Sequence, residues 1–287
     1  MTLSAQPPAC SPASPHATAV LTQLLEARTG QQLASSRAWR MDTALKPLLR
    51  ERGLDTLDQL VATLLGGHDM PLADQIVDAL LNGETSFFRE APVFDAVLEA
   101  VAAIEAQGRR ARLWSAGCSS GQEPLSLAML FAERREATGV AMPDLLATDV
   151  SETALSRARQ GRYSQFEIQR GLPIRRAMRW FEPTPAGDWV ASPDLIRQIN
   201  FRAFNLAADT WPTGRFDIIL CRNVLLYFST EMKAQVFERF ADVLRPGGLL
   251  VLGAGETVIG QTGRLEPSAR VRGFYEPVAS TPGCRAA

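Results

Sequence analysis

Apolar residues recur with a helical spacing of three or four in the N-terminal part of the chain, and no alternating strand pattern interrupts them. The recurring positions are Val20, Leu21, Leu24, Leu25, Leu57, Leu60, Val61, Leu64 and Leu65. Glycines separate the apolar runs from one another. This pattern predicts a small all-helical domain over residues 18–81. Residues 1–17 are rich in proline, alanine and serine, and we expect them to be a disordered lead.

From residue 82 onward, short apolar segments alternate with longer helical segments. We expect strands at residues 112–116, 144–149, 199–204, 216–221, 249–252 and 273–278. Strands that alternate with helices form a parallel sheet with right-handed crossovers. The pattern therefore predicts an α/β domain with a Rossmann-like sheet over residues 82–287.

Residues 161–198 interrupt this alternation, because they separate the second and third strands by more than an ordinary loop. The segment contains several aromatic residues and prolines. We interpret it as an inserted β subdomain with a hairpin near residues 188–190. A long ordered loop is the alternative.

Composition and charge narrow the function classes. The net charge of −1 gives no overall field that would favour nucleic acid, and no apolar run reaches the length of a membrane helix. None of the four cysteines has CxxC spacing, so we expect a reduced, cytoplasmic protein. Separately, we expect a monomer. The two histidines, His16 and His68, both precede the α/β domain. Histidine-dependent hydrolysis and a histidine-ligated metal are therefore excluded there, and no metal site is predicted.

Basic residues outnumber acidic residues in two segments, 28–52 and 157–179. Such a segment is either a solvated face or a surface for an acidic partner, and the sequence leaves both open.

Residues 115–121, here called the glycine loop, follow the first strand and precede a helix. Small residues let a backbone approach a ligand closely, and a helix N-terminus favours anionic groups. The loop is not GxGxxG, and no Gly-Lys-Ser/Thr follows it, so the ligand need not carry phosphates. Gly117 is the candidate cofactor-binding glycine.

Two acidic residues flank this loop in the predicted sheet. Asp149 ends the second strand, where an acid in nucleotide-binding folds accepts hydrogen bonds from ribose. A helix-entry role beside Ser151 is equally open for it. Glu123 begins the helix after the glycine loop, where it either stabilises the helix dipole or binds a cation.

Polar residues also follow later strands, at the edge where open α/β sheets bind ligands. Arg222 and Asn223 come directly after the fourth strand, where a polar side chain is costly unless it is paired or faces a cleft. We assign these two and Tyr227 to the site. Asn205-Leu206 follow the third strand.

A further segment, residues 82–90, precedes the first helix of this domain and is here called the entry segment. It contains Thr85 and Arg89, and its Phe87 and Phe88 are expected in the core.

These segments together resemble the CheR-type chemotaxis protein methyltransferases. The matching segments occur in family order at residues 85–90 (Thr-Ser-Phe-Phe-Arg-Glu), 114–124, 147–149, 204–206, 216–228 and 244–248. Each is weak alone, but the ordered set is highly specific. The helical N-terminal domain and the insertion also match what the family carries.

The resemblance implies methyl transfer from S-adenosylmethionine (AdoMet) to glutamate side chains in the cytoplasmic helical region of chemoreceptors, with S-adenosylhomocysteine (AdoHcy) as product. The family's cofactor-binding positions fall on Thr85, Arg89, Glu123, Asp149, Asn205, Leu206, Arg222 and Asn223. Tyr227 falls near the methyl-transfer centre, and the catalytic candidates are Arg89 and Tyr227. A glutamate carboxylate is already ionised at neutral pH, so a histidine-free site suffices.

Departures from the family pattern leave alternatives. Gly83 stands where the family often has asparagine, and residues 166–173 resemble a branch whose insertion need not bind a receptor tail. The other readings are AdoMet-dependent methylation of another protein or a small molecule, and a signalling module that binds AdoMet without turnover.

Overall fold

The computed structural model describes residues 13–33, 39–67, 70–208, 210–212 and 214–278, without the side chains of residues 39, 40 and 70. The chain divides into two units, Met1–Asn82 and Gly83–Ala287. No helix in these described ranges has both the length and the apolar character needed to span a bilayer.

The described part of the first unit consists of four helices, in agreement with the helical spacing of its apolar residues. They are α1 (Pro15–Thr29), α2 (Trp39–Arg52), α3 (Leu57–Leu65) and α4 (Met70–Leu80). Leu21, Leu45 and Ile76, each fully buried, lie in their shared core. The expected disordered lead needs a correction at its end, because Ser14 caps α1 by accepting from the Ala17 N–H and the helix begins at residue 15. Residues 1–12 of the lead lie outside the described residues.

The second unit contains ten strands and seven helices in the part that the structure describes. The strands are β1 (Arg112–Ala116), β2 (Asp144–Asp149), β3 (Arg162–Ser164), β4 (Phe181–Pro183), β5 (Asp188–Ala191), β6 (Ile199–Ala203), β7 (Phe216–Cys221), β8 (Leu244–Leu252), β9 (Leu265–Pro267) and β10 (Phe274–Pro277). The helices are α5 (Ala91–Glu105), α6 (Gln122–Thr138), α7 (Glu152–Gln160), α8 (Gln165–Gln169), α9 (Ile174–Trp180), α10 (Pro193–Ile196) and α11 (Thr230–Val243).

Seven strands form the main sheet in the order β6-β2-β1-β7-β8-β10-β9. The first five are parallel to their neighbours, and β10 pairs antiparallel with β8 and β9. This order confirms the Rossmann-like α/β prediction. The structure differs at β8, which begins five residues before the predicted 249, and at β9, which was not predicted. β9 has only three residues and ends in proline, so no periodic pattern marks it.

Helices cover both faces of the main sheet. Phe94, Leu113 and Leu125 belong to one buried cluster, and Trp114, Phe237 and Phe240 belong to the other. β7 is buried along its whole length, as its unbroken apolar run predicts for a central parallel strand.

The insertion forms a second, antiparallel sheet in the order β3-β5-β4. β4 and β5 form the hairpin that was predicted near residues 188–190. Tyr163 and Phe181 from this insertion are buried in the same cluster as Phe94 of the main domain. The insertion therefore shares its core with one face of the main sheet.

Candidate active site

The carboxyl ends of the parallel strands bring most of the predicted site residues to one edge of the sheet. The glycine loop leaves β1, Asp149 ends β2, and Asn205 follows β6. Residues 222–228, here called the β7 loop, begin at Arg222. Because these four strands are consecutive in the sheet, in the order β6-β2-β1-β7, their loops meet at the position where α/β folds bind ligands.

The glycine loop turns back onto the end of β2. The N–H groups of Gly117 and Cys118 both donate to the carbonyl of Thr148, at 2.8 and 2.9 Å. Gly117 has φ +81°, and a Cβ there would lie 2.4 Å from Val224 Cγ2. The close approach that requires this glycine is therefore made by the β7 loop. A direct contact between Gly117 and the cofactor stays a prediction.

Asp149 holds two segments together. Its Oδ2 accepts from the Ser119 N–H at 2.7 Å, and its Oδ1 accepts from the Ser151 N–H at 2.9 Å. Ser151 in turn caps α7. The helix-entry role thus exists in the structure, while the ribose-binding role of Asp149 stays a prediction.

A buried ion network lies beside the glycine loop. The Arg222 guanidinium is 3.0 Å from Glu123 Oε2 and 3.2 Å from Glu90 Oε2, and its side chain is 2% exposed. Arg222 also donates to the carbonyl of Arg89 at 2.6 Å, and Ser115 Oγ donates to the other oxygen of Glu123 at 2.7 Å. Two carboxylates around one guanidinium leave a net charge of about −1, which favours a cationic ligand group.

This network changes the interpretation of Arg222. The family resemblance implies contact with the cofactor, whereas in the structure the guanidinium contacts Glu123, Glu90 and the carbonyl of Arg89. Arg222 ties the entry segment, at Arg89 and Glu90, to the start of α6 at Glu123. The sequence analysis did not assign Glu90, although this residue stands in a matching segment.

The entry segment is fixed from several sides. The carbonyl of Gly83 accepts from Ser119 Oγ at 2.8 Å, and Arg89 Nη1 donates to the Glu84 carbonyl at 3.4 Å. Phe87 is fully buried and packs edge-on against Tyr163 with ring centroids 5.1 Å apart, which confirms its core assignment. Phe88 is buried as well.

The remaining candidates lie in the adjacent loops. Thr85 is half-buried in the entry segment, and Tyr227 is half-buried in a short 3-10 turn, Leu225–Tyr227. Asn205 Oδ1 accepts from the Ala207 N–H at 2.9 Å, while Leu206 is buried in the cluster that contains Trp114. That these four residues contact the cofactor or the substrate stays a prediction.

Four non-glycine residues have positive φ in the part of the chain that the structure describes. They are Phe88, Glu90, Ser119 and Asn223. All four lie in the entry segment, the glycine loop or the β7 loop. Such left-handed backbone is costly and concentrates at functional sites, which supports the assignment of these three segments to one site.

Two cysteines near the site are unsuited to nucleophilic chemistry. Cys118 and Cys221 are 1% and 0% exposed. Burial, followed by the charges of Asp149 and Glu123, raises the pKa of the Cys118 thiol well above 9.0. Burial also raises the pKa of the Cys221 thiol. Burial and a raised pKa both disfavour the reactive thiolate, so neither Cys118 nor Cys221 is suited to act as a nucleophile.

Glu256 is a second residue at this edge, besides Glu90, that the sequence analysis did not assign. Its carboxylate accepts hydrogen bonds from the backbone of the β7 loop. The signal that could have found it is the Gly-Ala-Gly-Glu run after β8, where an acid follows a buried strand at the ligand-binding edge.

The site fits AdoMet on observations of its own. Asn223 Oδ1 and Arg222 Nε are buried without a hydrogen-bond partner, so polar groups remain for a ligand. The excess negative charge around Arg222 suits a sulfonium and an ammonium group. An acid ends β2, where a ribose is bound in this class of fold. Fold and site together define a Rossmann-like, AdoMet-dependent methyltransferase.

Comparisons with known proteins narrow this class. The family model described as "CheR methyltransferase, SAM binding domain" matches residues 83–273. The chemotaxis protein methyltransferase Cher2 of Pseudomonas putida is 36% identical over 242 residues, which are 82% of this chain and 88% of the relative. Chemotaxis protein methyltransferase 1 of Pseudomonas aeruginosa is 37% identical over 244 residues, 82% of this chain and 87% of the relative. The chain therefore belongs to the CheR methyltransferase family, and it uses S-adenosylmethionine.

Proposed function

We infer that this protein transfers a methyl group from AdoMet to glutamate side chains of chemoreceptors and releases AdoHcy. Relatives named as chemotaxis protein methyltransferases match over most of the chain. The observation that supports the proposal most is that three segments matching the family meet at one sheet edge. These are the entry segment, the glycine loop and the β7 loop.

The chemistry demands placement more than acid–base catalysis. When bound, AdoMet supplies an electrophilic methyl group on a sulfonium with a neutral thioether as leaving group. The acceptor carboxylate is ionised at neutral pH and needs no base. The residues of the chain therefore have to bind the cofactor, orient the acceptor carboxylate and exclude water from the site. Together these effects can lower the activation barrier by several kcal/mol.

We assign roles to the residues on this basis. Asp149 holds the ribose and Asn205 the adenine edge. Glu123 and Arg89 hold the charged methionine end, because the Glu123 carboxylate belongs to the network of net negative charge. Tyr227 orients the acceptor carboxylate. Thr85, Leu206 and Asn223 line the cofactor.

The decisive experiment is incubation with labelled AdoMet and receptor-containing membranes, followed by alkali. Receptor label that alkali releases as methanol identifies a carboxyl methyl ester, the product expected from methylation of a glutamate side chain. Asp149→Ala is expected to abolish AdoMet binding in calorimetry, whereas the matched variant Asp194→Ala, at an exposed position in α10, is expected to bind normally. Alkali-stable label, or label on a soluble protein or small molecule, would instead indicate another acceptor.

We propose that α2 recognises the cytoplasmic helical region of the receptor, which we expect to be acidic. Lys46 and Arg50 are exposed on this helix. Arg37 lies outside the described residues, and the side chain of Arg40 is not described. Arg50→Glu is expected to raise the KM for receptor in a salt-dependent way and to leave AdoMet affinity unchanged. Arg272→Glu, a charge reversal at another exposed position, is the control. Equal receptor KM values for both variants would make α2 a solvated face.

We also propose that the protein is a cytoplasmic monomer without nucleic-acid binding. Light scattering after size exclusion measures the mass in solution, and a dimer mass would contradict this.

A further inference from the structure

The turn after β8 places one carboxylate beneath the β7 loop. Glu256 Oε2 accepts from the N–H groups of Asn223 at 2.6 Å and Gly253 at 2.9 Å. Its Oε1 accepts from the N–H groups of Val224 at 3.1 Å and Leu226 at 3.2 Å. One side chain thus takes up four backbone donors, three of them from the β7 loop.

The conformation of the β7 loop explains why it needs an anion. Asn223 has φ +60°, in the left-handed region, and Val224 follows with φ −111° and ψ −54°. Successive residues of opposite hand turn their N–H groups toward one point, which creates an anion-binding concavity. In this protein the anion is the carboxylate of Glu256.

Gly253 allows the same close fit from the other side. A Cβ there would lie 2.6 Å from Asn223 Nδ2 and 2.9 Å from its backbone nitrogen. Because β7 and β8 are paired neighbours, with Cys221 opposite Leu252, the two loops leave the sheet side by side. The turn after β8, from Gly253 to Glu256, thus packs against the β7 loop and holds its backbone in place.

We propose that Glu256 is a positioning residue for methyl transfer: it fixes the backbone from Asn223 to Leu226 and thereby sets the places of Asn223 and Tyr227. The inference rests on the proposed function, because that function assigns the β7 loop to the site. A carboxylate is required, since it offers only acceptors. A glutamine would turn an NH2 donor toward the N–H groups that one oxygen now serves.

The test compares Glu256→Gln with Glu256→Asp, which keeps an acceptor-only side chain. Glu266→Gln makes the same change at an exposed position on β9 and is the control. We expect Glu256→Gln to raise the KM for AdoMet and the Kd for AdoHcy about tenfold, the size expected for a lost charge-assisted hydrogen bond. The kcat should fall as well, because Tyr227, which orients the acceptor carboxylate, is displaced.

The split between these constants separates positioning from general stability. A variant that is merely less stable has fewer active molecules, so its apparent kcat falls and both KM values stay unchanged. That pattern, or wild-type AdoHcy affinity in Glu256→Gln, would overturn the inference. Glu256→Asp is expected to recover part of the AdoHcy affinity, and it provides the measurement if Glu256→Gln does not fold.

An error in the proposed function can be distinguished from an error in the role of Glu256. If the wild-type protein binds AdoHcy but does not methylate receptors, the acceptor is wrong. The effect of Glu256→Gln on AdoHcy affinity then still decides the role of this residue.

Discussion

Replacing Arg222 by methionine tests the buried network most directly. The substitution keeps a long side chain but removes the cation between Glu123 and Glu90. The Arg222 side chain is 2% exposed, and those of Glu123 and Glu90 are 14% and 31% exposed. The pair with Glu123 is thus well shielded, whereas water screens Glu90 more strongly.

The expected cost follows from these exposures. Breaking a buried ion pair by removing one partner costs about 3–5 kcal/mol, because the other charge is left uncompensated. With Glu90 partly solvated, we expect Arg222→Met to lower the free energy of unfolding by about 3 kcal/mol. Adding Glu123→Gln to this variant removes one of the stranded charges, so the double variant should be more stable than the sum of the single changes predicts.

Denaturant unfolding followed by tryptophan fluorescence measures these changes. Four reporter residues lie in the larger unit, namely Trp114, Trp180, Trp189 and Trp211. Arg272→Met at an exposed position is the control and should change the unfolding free energy by less than about 0.5 kcal/mol. A loss below about 1 kcal/mol for Arg222→Met, or strict additivity with Glu123→Gln, would refute the reasoning.

Three further predictions concern packing and buried groups. Gly117→Ala forces φ +81° on a residue with a Cβ and brings that Cβ 2.4 Å from Val224. The left-handed backbone alone should lower the free energy of unfolding, measured with denaturant, by about 1–2 kcal/mol. Adding Val224→Ala should recover only the part of the loss that comes from the clash with the Val224 side chain. Tyr163→Phe leaves the Ser120 carbonyl without its 2.7 Å hydrogen bond, so thermal unfolding should show a loss of about 1–3 kcal/mol, and an unchanged melt would contradict that. Burial raises the pKa of the Cys221 thiol above its ordinary 9.0. Below pH 9 the thiol is protonated in both the folded and the unfolded chain, and as the pH rises above 9 it ionises in the unfolded chain first, which lowers the free energy of unfolding. The unfolding free energy should fall by about 1.4 kcal/mol per pH unit for this group above about pH 9, and Cys221→Ala should reduce that slope.

The positions of the site loops could be predicted because they follow from the order of strands and helices. Once short apolar strands alternate with helices, parallel strands end at one edge. The glycine loop, Asp149 and Arg222 follow such strands directly, so the sequence alone indicated that they meet. The family resemblance added the cofactor and the substrate class, which periodicity does not encode.

The partners of these residues could not be predicted, because hydrogen bonds between distant segments leave no periodic signal. Arg222 contacts the carbonyl of Arg89 from 133 positions away, and Glu256 contacts Asn223 from 33 positions away. Both contacts depend on loop conformations with positive φ, which only a folded neighbourhood stabilises. The sequence predicted a polar cleft, and the tertiary structure decided which charges compensate one another within it.

The insertion shows the same division between sequence and structure. Its length, its aromatic residues and its hairpin were visible in residues 161–198. The sequence did not indicate that Tyr163 enters the core of the main domain, where its hydroxyl donates to the Ser120 carbonyl of the glycine loop. The local pattern determines which elements form. The tertiary structure decides which apolar surfaces pack together, because the fold buries apolar area from the whole chain at once and no local segment encodes that total.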